Sequence, residues 1–132
     1  IENSLALALA RELQQAGVDL ALLVPIDLFA MAVGLIAHVI EGQGIPTLVI
    51  GTAHDILTQV APPRAAFVDH PVGRTFGPPH ERARHELVLA KALGELEQFA
   101  RPGEIRDLKI NWSPDGSRAW EDELRAELLR DR

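Results

Sequence analysis

Asp27, the pair Thr52 and His54, and the pair Asp69 and His70 each follow an apolar run, where the chain turns out of it. Carboxylates, a hydroxyl and imidazoles placed at such turns can hold a ligand, act as nucleophile or move a proton. Asp27 follows the run Leu20 to Pro25 and directly precedes a helical pattern. A helix N-terminus presents unpaired N–H groups and a positive dipole end, which stabilises a charged carboxylate and weakens it as a base. Asp27 therefore suits a nucleophilic or electrostatic role, or the plain role of an N-cap worth about 1 kcal/mol. Thr52 has the same alternative, as cap of the helix that follows it.

The segment Asp69 to Pro79, DHPVGRTFGPP, is too rich in Gly and Pro for a helix and too polar for a core. It reads as a long loop at the carboxyl end of a strand. Gly73 and Gly77 permit close backbone approach to a ligand, Arg74 offers a fork for a carboxylate or phosphate, and Thr75 adds a hydroxyl. His54 and Asp55 are too few for a metal site, and His80 and His85 lie too far apart on a helix to share a ligand face. His38, on an apolar helix, reads as a packed or hydrogen-bonded ring. The site set is thus Asp27 and His70 as reactive groups, with Thr52, His54, Asp69, Gly73, Arg74 and Thr75 as ligand contacts, and no metal.

These residues need elements to hold them. Leu5, Leu9 and Leu13 with Ala6, Ala10 and Ala16 mark an amphipathic helix ending at Gly17. Val18 to Val24 reads as a strand buried on both faces. Phe29, Val33, Ile36, Ala37 and Ile40 mark a second helix closed by Gly42 or Gly44, and Pro46 to Ile50 a second strand. A short helix carries Ile56, Leu57 and Val60 and stops at Pro62-Pro63, and Ala65 to Val68 forms a third strand. Pro79 opens a helix running to about Ala100 with Leu89, Leu93, Leu96 and Ala100 on its buried stripe. Leu108, Ile110 and Trp112 alternate with polar residues as an edge strand, and Trp120, Leu124 and Leu128 space out a last helix. Trp112 and Trp120 read as packed on that strand and helix.

Helices alternating with strands predict a three-layer α/β domain, flavodoxin- or Rossmann-like. Its parallel sheet of about four strands carries right-handed crossovers and helices on both faces. The three polar turns then share the rim at the carboxyl ends of the strands, where ligands of open α/β sheets bind. The 132 residues fit one domain, and the opening on Ile1 reads as the C-terminal part of a longer chain. A net charge of −6 argues against nucleic acid or an anionic membrane as partner. The absence of cysteine removes thiolate, disulfide, iron–sulfur and Cys-based zinc chemistry from these residues. No apolar run reaches the roughly 18 residues of a membrane span, and no signal-peptide pattern opens the chain, so the expected place is the cytoplasm. No dinucleotide or Walker motif is present, and no cofactor is expected.

Taken in order, several segments make the sequence from Gly17 to Trp112 resemble the selenoprotein B family of glycine, sarcosine, betaine and D-proline reductases. They are Gly17-Val18-Asp19 leading to Pro25, Val33-Gly34-Leu35-Ile36 to Glu41, and Gly44-Ile45-Pro46-Thr47. Pro62-Pro63-Arg64-Ala65 and Phe67-Val68-Asp69-His70-Pro71-Val72-Gly73 complete the set. The resemblance implies a reductive cleavage beside an amine, with selenocysteine or cysteine two residues after the proline. Here that position is Asp27, and a second family cysteine corresponds to Ala30.

Two readings follow. In one, the chain is a diverged member acting on or binding a small amino-acid-like or carboxylate ligand, with Asp27 as nucleophile, His70 moving protons and Arg74 anchoring the acid. In the other, it is a non-catalytic subunit or ligand-binding module whose partner carries the reactive group. The partners expected are a small molecule and a hetero-subunit or a second copy.

Overall fold

The computed structural model describes residues 2–26 and 30–130, so Asp27 lies outside the described residues. Helix α1 (Glu2–Gln15) leads to β1 (Ala21–Leu23), α2 (Ala30–Gly42), β2 (Thr47–Gly51) and α3 (His54–Val60). Then come β3 (Arg64–Asp69), α4 (Arg82–Gly94), a 3-10 turn (Leu96–Gln98), β4 (Glu104–Asn111) and α5 (Ala119–Arg130). The four strands form one parallel sheet in the order β1-β2-β3-β4. With helices on both faces this is the α/β, flavodoxin- or Rossmann-like architecture that the alternation predicts.

Glycine ends the first two helices. Gly17 takes φ +73° while Val18 N–H donates to the Leu13 carbonyl at 3.1 Å, and Gly44 takes φ +93° while Ile45 N–H donates to Ile40 at 3.4 Å. The first closure explains why β1 is shorter than Val18 to Val24: Val18 still belongs to the helix end. β1 is also an edge strand, and with Leu22 exposed it is not buried on both faces. That property belongs to β2, buried at every position.

Register assigns the faces. Leu23, Val49, Ala65 and Ile105 share one face with Ala37 of α2 and Leu57 of α3. Leu48, Ile50, Ala66, Val68, Leu108 and Ile110 share the other with Val88 and Ala92 of α4. Two extra residues in β4, between Asp107 and Asn111, leave that parity intact because they shift the strand by a full period. The strands advance in one direction while α3 and α4 cross on opposite faces, so those two crossovers have opposite hands. Right-handed crossovers throughout, as expected from sequence, would have put all connecting helices on one face. The long link of residues 70–81 carries the chain over the sheet's end before α4 begins.

Alanines, not leucines, lie deepest in the outer helices. Ala6 and Ala10 of α1 and Ala92 of α4 are buried, while Leu5, Leu89 and Leu93 are exposed. The predicted stripe of α4 is therefore displaced by one residue, and α4 starts at Arg82 and stops at Gly94 instead of spanning Pro79 to Ala100. Small side chains let these helices sit close to their neighbours, so the bulky residue beside the contact line is left outside.

Candidate functional site

The rim at the carboxyl ends of the strands carries the predicted site. β1 leaves the sheet through Val24, Pro25 and Ile26, and the loop after β3 folds over this exit. Gly73 takes φ +85°, and a Cβ there would stand 3.4 Å from the Ile26 carbonyl oxygen, so glycine permits both the turn and the approach. Between them lies a cavity of about 390 Å³ lined by Val24, Ile26 and loop residues 73–77. Its walls are mostly apolar, and Arg74 and Thr75 are its polar lining residues. Ile26 is the residue before Asp27, so this cavity borders the turn to which the sequence assigns the reactive carboxylate.

His70 holds the loop from inside. Its residue is 2% exposed, Nδ1–H donates to the Thr75 carbonyl at 2.9 Å, and Nε2 accepts from Arg84 Nη1 at 3.4 Å. The ring also meets Trp112 edge-on, centroids 5.2 Å apart. Burial lowers its pKa below the usual histidine range and the Arg84 charge adds to this, against the opposing pull of the Thr75 carbonyl. The imidazole is therefore neutral near pH 7, with both nitrogens engaged. Arg84 continues the brace by donating to the Asn111 carbonyl at 2.9 Å. Gly77, at φ +122°, leaves room for it: a Cβ there would stand 2.3 Å from Arg84 Cγ.

Asp69, at the end of β3, pairs with Arg118, which also reaches Glu121 at 3.3 Å. The Arg118 guanidinium lies 5.1 Å from the Trp120 ring centroid. This fastens the start of α5 to the rim. A second cavity, about 150 Å³, lies between the loop and α5, lined by Pro71, Arg74, Trp112 and four residues of α5, Trp120 among them.

Gly73, Arg74 and Thr75 thus come together around one cavity, with His70 and Asp69 fixing its walls. Thr52 and His54 stand elsewhere on the rim and line neither cavity that holds Arg74. Thr52 does not cap α3: the cap position is Ala53, with no side-chain bond, one residue after the hydroxyl. His54 is exposed, with its ring edge-on to Phe67 at 5.0 Å. His85 is half-buried and donates to the Pro78 carbonyl at 2.8 Å. His38 is exposed and hydrogen-bonded to the Val60 carbonyl at 3.2 Å. Among the described residues no three His, Asp or Glu side chains converge to hold a metal ion, and no helix is long and apolar enough to cross a membrane.

Arg84, Arg118 and the acidic face of α5 escaped the sequence reading. One signal was present: β4 runs parallel to β3, so its carboxyl end and the turn after it reach the same rim. Nothing local marks Arg84.

Comparison with curated proteins adds one relative. The chain is 28% identical over 105 residues to D-proline reductase subunit gamma of Acetoanaerobium sticklandii. It is a distant relative of a reductase subunit. The match takes in 79% of this chain and 43% of that protein, so the chain spans less than half the length of its relative. No family model and no solved structure matches.

Proposed function

We propose that the chain binds a small carboxylate ligand, amino-acid-like in size, at the C-terminal rim of its sheet, as a diverged relative of the selenoprotein B type of reductase. The observation that carries this is the mostly apolar cavity between the β1 exit and the loop 73–77, with Arg74 and Thr75 among its lining residues. Arg74 anchors the carboxylate, and Asp27, next in sequence after Ile26, is the reactive group that the sequence assigns to this rim. His70, engaged at both nitrogens, positions the loop rather than moving protons. With no cysteine among the 132 residues, thiol or selenol attack needs a group from another chain or segment.

The test is a titration of the ¹⁵N-labelled chain with sodium propionate and with D-proline. Saturable amide shifts at Gly73, Thr75 and Gly77 are expected, with Arg74→Ala weakening binding roughly tenfold, the scale of one charge-assisted bond. Shifts confined to other regions, or unchanged by Arg74→Ala, would overturn the reading.

A second reading has its own observation. The relative is itself a named subunit, and these 132 residues contain no cysteine. On this reading the chain is the ligand-holding part of a larger reductase complex. Mild affinity purification from the native source should then bring down a stoichiometric partner carrying cysteine or selenocysteine; recovery of the chain alone counts against it.

A further inference from the structure

We infer that α5 is a detachable strap across the rim, latched at its start by the Asp69–Arg118 ion pair, and that its release uncovers Pro71 and Trp112. The helix gives little to the core: none of its described side chains is buried, and none belongs to a hydrophobic cluster. Trp120 and Leu124 are half-buried, where they wall a cleft with Pro71 and Trp112. Among the described residues, no side chain of α5 hydrogen-bonds to another element. The tie to β3 is made by Arg118, the residue before the helix. The turn leading into it closes on itself. Gly116 N–H donates to the Ser113 carbonyl at 3.0 Å, Ser117 N–H donates to the Asp115 carboxylate at 2.9 Å, and residues 114–119 are exposed. α5 can therefore leave the rim without breaking either bond of its hinge.

The latch is a weak one. Asp69 and Arg118 are both partly exposed, and a pair of that kind shifts an equilibrium by only about twofold to fivefold. Arg118 adds to the hold by lying 5.1 Å from the Trp120 ring centroid and by reaching Glu121 at 3.3 Å. One guanidinium thus joins the end of β3 to the first turn of α5, so losing Asp69 loosens Trp120 as well. A free helix of 12 residues is marginal in water, and α5 unravels once it leaves the rim. The floor beneath it stays in place, because Pro71 is buried in the loop and Trp112 meets His70 edge-on at 5.2 Å. Release therefore opens a preformed surface beside the loop and returns the Asp69 carboxylate to the rim.

Native-state hydrogen exchange of the full chain, read by NMR, separates local release from global unfolding. The amides of α5 are expected to exchange through an opening that leaves β2 and β3 protected. D69N and R118Q should each raise the α5 rates about threefold with the sheet unchanged, and R118K should hold them near wild type. Added sodium chloride should speed α5 exchange in wild type and not in D69N, since it screens the pair. Trp112 and Trp120 are the two tryptophans of the chain, so W120F leaves Trp112 as its one indole. Acrylamide quenching of that indole should rise from W120F to W120F/D69N. Exchange of α5 only together with β2 and β3 would overturn the strap. Equal α5 rates in wild type, D69N and R118Q would overturn the latch, and equal quenching would overturn the uncovering of Trp112.

Discussion

His70 shows how a residue that looks reactive in sequence becomes a strut in the fold. Its Nδ1–H closes the loop on the Thr75 carbonyl and its Nε2 accepts from Arg84, in a site that disfavours the imidazolium. Below about pH 6.5 the unfolded chain takes up a proton that folded His70 refuses, so the unfolded state binds more protons. Stability then rises with pH between the depressed folded value and about pH 7, and is lost on acidification through the same window. His70→Asn keeps a donor for Thr75 and removes the titration. The stability gap between wild type and H70N, measured by urea denaturation, should shrink as pH falls from 7.5 to 5. Parallel curves would show that His70 does not titrate on unfolding. The loop itself was legible in sequence because Gly73, Gly77, Pro78 and Pro79 forbid a helix. Its braces were not, since Arg84 lies 14 residues from His70, and Arg118 lies 49 residues from Asp69. Contacts at such separations leave no periodicity to read.

Between elements, the governing feature is close approach through small residues. Gly34 of α2 faces α3 so tightly that a Cβ would stand 2.1 Å from Val60 Cγ1. Val60 is β-branched and stiff at χ1, so it cannot turn away cheaply. Gly34→Ala gains up to about 1 kcal/mol of helix propensity but incurs an overpacking cost of roughly 1–3 kcal/mol, leaving a net loss near 1 kcal/mol. That corresponds to a fall in Tm of about 3–6 °C for a domain of this size. In a Val60→Ala background the clash disappears, and the same substitution should be neutral or stabilising. Thermal melts of the four proteins in this cycle decide it; a Gly34→Ala effect independent of residue 60 would place the tightness elsewhere. Element types and order followed from apolar spacing, and Gly17 and Gly44 marked their helix ends. The phase of the α4 stripe did not follow. Leucine weighs more than alanine in any reading of hydrophobicity, yet on α4 it is Ala92, with Val88, that reaches the contact line. On α1, Ala6 and Ala10 are buried as read, with Leu9 and Leu13 packed beside them.

For the molecule as a whole, the phase of α4 determines the arrangement of layers. With Val88 and Ala92 on the Ile50–Val68 face, α4 covers the side of the sheet opposite α2 and α3, and the last crossover reverses hand. Leu22, in register with Leu48, stands on that same face beyond the cover of α4 and is 36% exposed. Sequence could not foresee this, because the right-handed preference holds for nearly all crossovers between parallel strands and nothing in residues 70–81 marks an exception. The arrangement makes an unequal demand on neighbouring side chains of α4. Val88 is fully buried, so Val88→Ala should cost about 2 kcal/mol from lost burial and an unfilled void. Leu89 is 37% exposed, so Leu89→Ala, though it removes more carbon, should cost less than about 1 kcal/mol. Chemical denaturation of both variants, with m-values held equal to exclude changes in the unfolded state, measures the contrast. If Leu89→Ala proved the costlier change, the helix would be rolled onto its leucine stripe. Arg84 would then swing away from Asn111 and His70, and the rim loop would lose the brace that holds Arg74 over its cavity.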